Sequence, residues 1–470
     1  MCRGGPRDHR AAQAARRAYG VRAPGVSGAQ TIIGPLMDAG KYLIKVPEQW
    51  NGTLILYSFG PPVPAENPVY DAKHPVVQAY LARGYAVAGW SSPVFWPLEQ
   101  SFPNQMTVLD EFVRLVGKPQ RTIAYGQSIG GFLTAGLAQT FPKRLDGALA
   151  ICGPIAGGVA TQNRELDLAF VFKTLIAPDS DLDLVRIRQP ERNQALSLEL
   201  LERAAATPEG RARLALAAGV TNVPGWPDPR SPEPAPGDHA ARLDGQIGWF
   251  RGIVFHVIFN ARATIERRAG GNPSWNTGVD YAALLERSAQ ADVVRWAYAT
   301  ASLDLQADLA SLARAPRITA DPRAVAYLER YIVYDGNLAD IPVVTVHTTG
   351  DGLCTPDHEQ AYRDVVRWAG HAQQLRQLWI RRGGHCSFSV AETLAALDVL
   401  LERIARDTWP PTDASTLNET ARQLETESRL LNPLDEEDRD PVTPVPPGFC
   451  EFDPPPFLRP YDIRSVPPRA

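Results

Sequence analysis

Between Lys41 and Gly153, short apolar runs alternate with segments of helical period, and this alternation fixes the class of fold. "KYLIKVP" (41–47) and "GTLILYSFG" (52–60) are runs closed by proline or glycine, with "EQWNG" turning between them. Both read as strands. "HPVVQAYLARG" (74–84) has helical spacing and stops at a glycine, "YAVAGWSS" (85–92) is a buried-type strand, and "TVLDEFVRLVG" (107–117) is an amphipathic helix. "RTIAYGQS" (121–128) is a strand, "IGGFLTAGLAQTFP" (129–142) a helix and "LDGALAICG" (145–153) a strand. Strand and helix with short links predict an α/β fold with a mostly parallel, doubly wound sheet.

From 157 to about 335 the pattern is helical, broken by the Pro-rich span "VPGWPDPRSPEPAPGD" (223–238). The α/β rhythm resumes at "IPVVTVHTTGD" (341–351), a helix at 358–369, a strand at "LRQLWIRRGGH" (375–385) and a helix at 391–406. The division expected is a leader over 1–30, a first core part over 31–156, a helical insertion over 157–335, a second core part over 336–410 and a Pro-rich strap over 411–470. Phe449, Phe452, Phe457, Leu458 and Tyr461 are the reason to expect a packed strap rather than a free tail.

Composition narrows the function. A net charge of −4 gives no electrostatic reason to expect nucleic acid as a partner. No run of eighteen apolar residues occurs, so no transmembrane helix is expected. The basic N-terminus lacks the apolar centre of a secretory signal. It reads as a leader or a mis-chosen start, with a cytoplasmic location as the default and secretion if the start is mis-assigned. Neither H-E-x-x-H nor a paired Cys/His spacing is present, so neither metal nor cofactor is expected.

One stretch carries chemistry. In "IAYGQSIGGF" (123–132), Gly126 and Gly130 flank Ser128 at a strand-to-helix junction. Side chains at those glycines would obstruct so sharp a turn, which presents the serine hydroxyl above the sheet. The helix behind it favours negative charge at the same spot. A serine needs a base, and the base an orienting acid. His385, in the loop "RRGGHCSF" after the last strand, is the candidate base; His347 in a strand, His358 at a helix start and His256 in "GIVFHVIF" read as structural histidines. Asp351 ends the β-branched run "VTVHTTGD" and is the candidate acid, with Asp357 as its rival and a helix N-cap as that residue's ordinary role.

On the elbow Gly126–Gly130, the Gly350-Asp351 loop and the Gly384-His385 loop, the chain resembles the α/β-hydrolase superfamily over about 30–155 and 335–410. The resemblance implies a nucleophilic Ser128, a small-molecule acyl substrate, an acyl-enzyme and a cap formed by the helical insertion. The expected reaction is hydrolysis of an ester, lactone or amide. An acyltransferase or thioesterase-like enzyme of the same fold is the alternative, and a non-catalytic binding protein a further one. Phe59, Trp90, Trp249 and Trp275 are candidates for contact with substrate. The family's oxyanion hole takes one N–H from the residue after the nucleophile, here Ile129. The second comes from the loop after "LILYSFG", where Pro61 and Pro62 have no N–H; Gly60 is expected to donate, with Phe59 N–H or a side chain such as Ser58 or Tyr57 as alternatives. Cys354 lies three residues after Asp351, and Cys386 follows His385. If acid and base meet, a Cys354–Cys386 bridge is geometrically open, as is a pair of buried thiols.

Overall fold

A computed structural model describes residues 29–37, 40–58, 75–91, 96, 98–424, 430–431 and 445–462. The strands are β1 (Gln30–Pro35), β2 (Lys41–Val46), β3 (Thr53–Ser58), β4 (Ala86–Ser91), β5 (Arg121–Gln127), β6 (Gly147–Ile151), β7 (Val343–Gly350), β8 (Leu375–Gly383), β9 (Phe388–Ser389), β10 (Leu430–Leu431) and β11 (Phe449–Cys450). Nine of them form one sheet in the order β1-β2-β4-β3-β5-β6-β7-β8-β11, and β9 pairs with β10 beside it. From β4 through β8 the neighbours are parallel, and β1, β2 and β11 are antiparallel additions at the two edges. The mostly parallel α/β sheet expected from the sequence is therefore observed.

Both faces of the central strands are apolar, as a sheet covered on both sides requires. Leu54, Leu56, Ala124, Ala148 and Ala150 pack on one side with Phe112 and Phe132, from helices Leu98–Leu115 and Ile129–Thr140. Ile55, Tyr57, Ile123, Tyr125 and Leu149 pack on the other with Val77 and Tyr80 of helix Pro75–Ala82 and Leu397 of helix Val390–Arg406. The two-residue period of a strand sorts neighbouring side chains to opposite faces.

Two elements depart from the sequence reading. β1, at the start of the expected core and not read as a strand, pairs with β2 from Gln30↔Val46 to Pro35↔Lys41. The helix expected to start at Thr107 begins at Leu98 and carries Pro103 inside it. A proline costs a helix one N–H bond, so it reads as a break. Here Phe102 and Met106 bury on either side of it and hold the turn.

Helices from Gly158–Ile176 to Pro322–Tyr331 stand between β6 and β7. They enclose an apolar cluster of their own, in which Phe172 meets Phe255 edge to face at 4.9 Å. Residues 449–461 run from β8 across these helices: Asn222 Nδ2 donates to Pro456 O (3.1 Å), Phe457 and Leu458 are buried, and Arg459 pairs with the buried Asp167 at 2.7 Å. No helix among the described residues is long and apolar enough to cross a membrane.

Candidate active site

β5 delivers Ser128 at its carboxyl end, where the backbone turns through φ 56° and ψ −123°. Non-glycine residues persist there only when their surroundings enforce it. The enforcement is visible around the turn. A Cβ on Gly126 would lie 2.4 Å from Gly130 O and 2.5 Å from Ser58 O, and one on Gly131 would lie 2.5 Å from Ile151 O. Ser128 N donates to Ile151 O (3.0 Å), and Phe132 N to Ser128 O (3.0 Å). Helix Ile129–Thr140 thus starts at the serine and aims its N-terminus there.

β7 delivers Asp351 and the loop after β8 delivers His385. Ser128 Oγ lies 2.8 Å from His385 Nε2, and His385 Nδ1 lies 2.6 Å from Asp351 Oδ2. Asp351 and His385 are buried. The other oxygen of Asp351 accepts N–H bonds from Leu353 (2.9 Å) and Cys354 (3.0 Å). Burial alone would raise the Asp351 carboxyl, but the His385 and His347 rings beside it outweigh that and hold it at about 2. The acid is therefore ionised at neutral pH.

The base loop is held from several sides. Thr348 Oγ1 donates to Gly384 O (2.8 Å), and Gly384 N donates to Trp226 O (3.2 Å). Arg382, at the end of β8, makes a buried two-pronged pair with Glu392 (2.7 and 2.9 Å) and reaches Ser387 O (2.9 Å). Glu392 in turn completes a capping box with Ser389 at the start of helix Val390–Arg406. The loop is fixed between its strand and its helix, and His385 with it.

The cysteine pairing differs from the one considered from sequence. Cys386 is joined to Cys152, with α-carbons 5.5 Å apart, while Cys354 is a buried free thiol. Cys152 directly follows β6, and β6 lies between the nucleophile's strand and the acid's strand. The bridge consequently pins the base loop to the sheet, with Cys386 Sγ 3.4 Å from His385 Nε2. Cys152, His385 and Cys386 group as metal donors do, but sulfurs joined in a disulfide are not thiolate ligands. Peptide mapping of protein folded under oxidising conditions should recover a Cys152–Cys386 cross-linked peptide that disappears on reduction. A Cys354–Cys386 peptide instead would refute the pairing.

The remaining candidates scatter. Ile129 opens the elbow helix. Gly60 and Phe59, like Pro61 and Pro62, lie outside the described residues. Trp90 is buried in the sheet's first apolar cluster. Trp249 lies against Gly352, next to Asp351: a Cβ on that glycine would meet its ring at 2.5 Å. Trp275 packs edge-on to Tyr461, and its backbone N–H donates to Asn163 Oδ1 (3.0 Å). Asp357, the rival acid, is turned away, taken up by Thr355 Oγ1 (2.5 Å) and Asn222 Nδ2 (2.9 Å). Two further residues stand out. Gln105 Nε2 donates to Tyr57 O (2.7 Å) and Ser58 Oγ (2.8 Å), propping the end of β3. His347, read as a structural histidine, lies directly behind Asp351.

Sheet order, strained serine and hydrogen-bonded histidine together define a serine hydrolase of the α/β-hydrolase fold. No family model matches the chain. o-Phthalyl amidase from Xanthobacter agilis is 30% identical over 434 residues, covering 85% of this chain and 93% of that protein. The chain belongs to the family of that amidase. Among solved structures, feruloyl esterase B from Aspergillus oryzae is 13% identical at a TM-score of 0.39, covering 81% of this chain and 82% of its own. Brefeldin A esterase, a bacterial homologue of human hormone sensitive lipase, is 14% identical at 0.35, covering 88% and 82%. The sheet itself, rather than these distant likenesses, supports the fold assignment.

Proposed function

We propose that this hydrolase is an amidase for aromatic acyl groups of the o-phthalyl type, working through an acyl-enzyme on Ser128. The observation that carries the mechanism is the hydrogen-bonded chain Ser128–His385–Asp351 at 2.8 and 2.6 Å, its histidine and aspartate buried. The substrate class follows the family relative, whose likeness extends over 93% of its length.

Ser128 Oγ attacks the amide carbonyl carbon while His385 Nε2 takes the hydroxyl proton. The carbonyl π electrons move onto oxygen, and the negative charge forms at the N-terminus of helix Ile129–Thr140. Ile129 N–H is one proposed donor to it and Gly60 N–H the other. The tetrahedral intermediate collapses, the C–N bond breaks, and His385 returns its proton to the leaving amine. Water then adds to the acyl-enzyme, giving a proton to His385. As the ester bond to Ser128 breaks, His385 passes that proton back to the serine, releasing the free acid. Asp351 keeps the ring in the tautomer with its proton on Nδ1.

The helical insertion from Gly158 to Tyr331 is proposed as the cap over this site, with Trp249 and Trp275 as its candidate substrate contacts and Phe59 and Trp90 as those of the core. The test is a comparison of N-phenylphthalamate with its para-carboxylated isomer and with the phenyl monoester of phthalic acid. Release of phthalic acid and aniline from the ortho amide, at least about tenfold faster than cleavage of the para isomer, is the expected result; one favourable pocket interaction open to the ortho isomer alone is worth about that much. Turnover of the ester with no cleavage of either amide would refute the amidase reading and leave an esterase.

A further inference from the structure

We propose that His347, held between Asp351 and Glu359, is a positioning residue that sets the orientation and effective charge of the triad acid. The proposal rests on Asp351 being that acid.

His347 sits on β7, four residues before Asp351, and is wholly buried. Its Nε2 lies 2.6 Å from Cys354 O and 3.5 Å from Asp351 Oδ2, and its Nδ1 lies 3.2 Å from Glu359 Oε1. Each ring nitrogen thus faces an acceptor: a backbone carbonyl on one side and a carboxylate on the other. Neutral imidazole has one N–H and can satisfy only one of them, whereas imidazolium satisfies both. Burial opposes the charge, but the hydrogen bonds to Asp351 and Glu359 overcome it and push His347 up to about 10.

Glu359 is itself fixed. Its Oε2 accepts from Thr345 Oγ1 (2.5 Å) and Gln377 Nε2 (2.5 Å), from β7 and β8. The other groups around His347 are Trp379 of β8, whose ring centre is 6.1 Å away, the Cys354 thiol of the acid loop, and His358 on helix Asp357–Trp368. Behind them Arg164, from helix Gly158–Ile176, reaches Leu353 O at 3.4 Å. Burial, followed by the positive charges of Arg164 and His347, pushes His358 well down, so it adds no charge of its own near neutrality.

Two consequences follow for the triad. The bond to Cys354 O ties down the turn whose N–H groups hold Asp351 Oδ1, so His347 aims the other oxygen at His385. Its positive charge, 3.5 Å from Asp351 Oδ2, also offsets part of the Asp351 charge. A buried charge so placed acts on the protonation of its neighbours.

The test is the pH dependence of kcat/KM for a neutral aryl ester in the wild type and in His347→Gln, which keeps an N–H toward Cys354 O and removes the charge. The acid limb should move to higher pH by about one unit, because the Asp351 carboxylate loses the positive neighbour that offsets its charge, while the high-pH plateau stays within about tenfold. An unmoved limb in a folded variant overturns the proposal. If that variant does not fold, 15N NMR of ring-labelled histidine in the wild type decides. One of the eight histidines should carry both ring protons at pH 8, and the absence of such a ring overturns the proposal. A failure of Asp351 as the acid shows separately, as a folded Asp351→Asn variant that loses less than tenfold in kcat.

Discussion

Ser128→Ala should abolish useful turnover while leaving the fold intact. The loss expected in kcat is at least about a thousandfold and can reach about a millionfold, the range seen when a nucleophile is removed from a triad. The size follows from the geometry. The hydroxyl is the one group delivered to the 2.8 Å position beside His385 Nε2, and alanine leaves that nitrogen facing a methyl group. Alanine also fits where serine does. The strained φ of 56° is already borne by a residue with a Cβ, so the substitution removes an oxygen without asking new angles of the backbone. The measurement is kcat on an aryl ester together with labelling by a fluorophosphonate, which should mark Ser128 in the wild type and nothing in the variant. Turnover within tenfold of the wild type, or a label on another residue, would remove Ser128 from the mechanism.

Asp351→Asn should cost about 10⁴ in kcat with little effect on folding, as an acid-to-amide change does when it forces the wrong histidine tautomer. The local hydrogen bonds dictate which way the amide turns. Leu353 N–H and Cys354 N–H both point at Oδ1 and need an acceptor there, so the amide oxygen takes that place. The NH₂ group is then left against His385 Nδ1, 2.6 Å from the present oxygen. Facing a donor, Nδ1 must become the acceptor, and the ring proton moves to Nε2, where it can no longer take the proton of Ser128. Kinetics with circular dichroism as the control checks this. A folded variant that loses less than tenfold would mean that Asp351 does not orient the base.

The central strands were legible because they are short, apolar on both faces and closed by glycine or proline, so they stand out from the longer segments of helical period. The hydrogen-bonded serine, histidine and aspartate were legible because each sits at a conspicuous junction: Ser128 between two glycines, Asp351 after Gly350, His385 after two glycines. What failed depends on tertiary neighbours. Loops after β6, β7 and β8 all emerge at one edge of the sheet, so three cysteines, Cys152, Cys354 and Cys386, are brought together there. The sequence left a Cys354–Cys386 bridge open beside a pair of buried thiols, and the pairing formed is Cys152–Cys386. His347 is the buried, hydrogen-bonded strand histidine expected from the sequence, and nothing local marks the further role proposed for it. Its role rests on Glu359, in the first turn of a later helix, and on the bend that brings Cys354 O back to the strand. The start of the helix at Leu98 was hidden by Pro103, whose cost is offset by burial that the sequence does not display.

The helices inserted between β6 and β7 have a consequence for how the enzyme comes into being. Pairing Ala148–Ile151 with Val343–Val346 closes a loop of about 190 residues, yet closure entropy rises only about 0.6 kcal/mol with each doubling of length. The equilibrium cost of the insertion is therefore small, and its weight falls on kinetics, since distant pairings form slowly. Synthesis produces the nucleophile's strand and turn first, then the helices that carry most of the second apolar cluster, and the acid and base last. A half-made chain carries a serine with neither base nor acid. Hydrolytic competence arrives only when the longest-range strand pairing closes, which keeps a reactive hydroxyl inert through most of the chain's assembly.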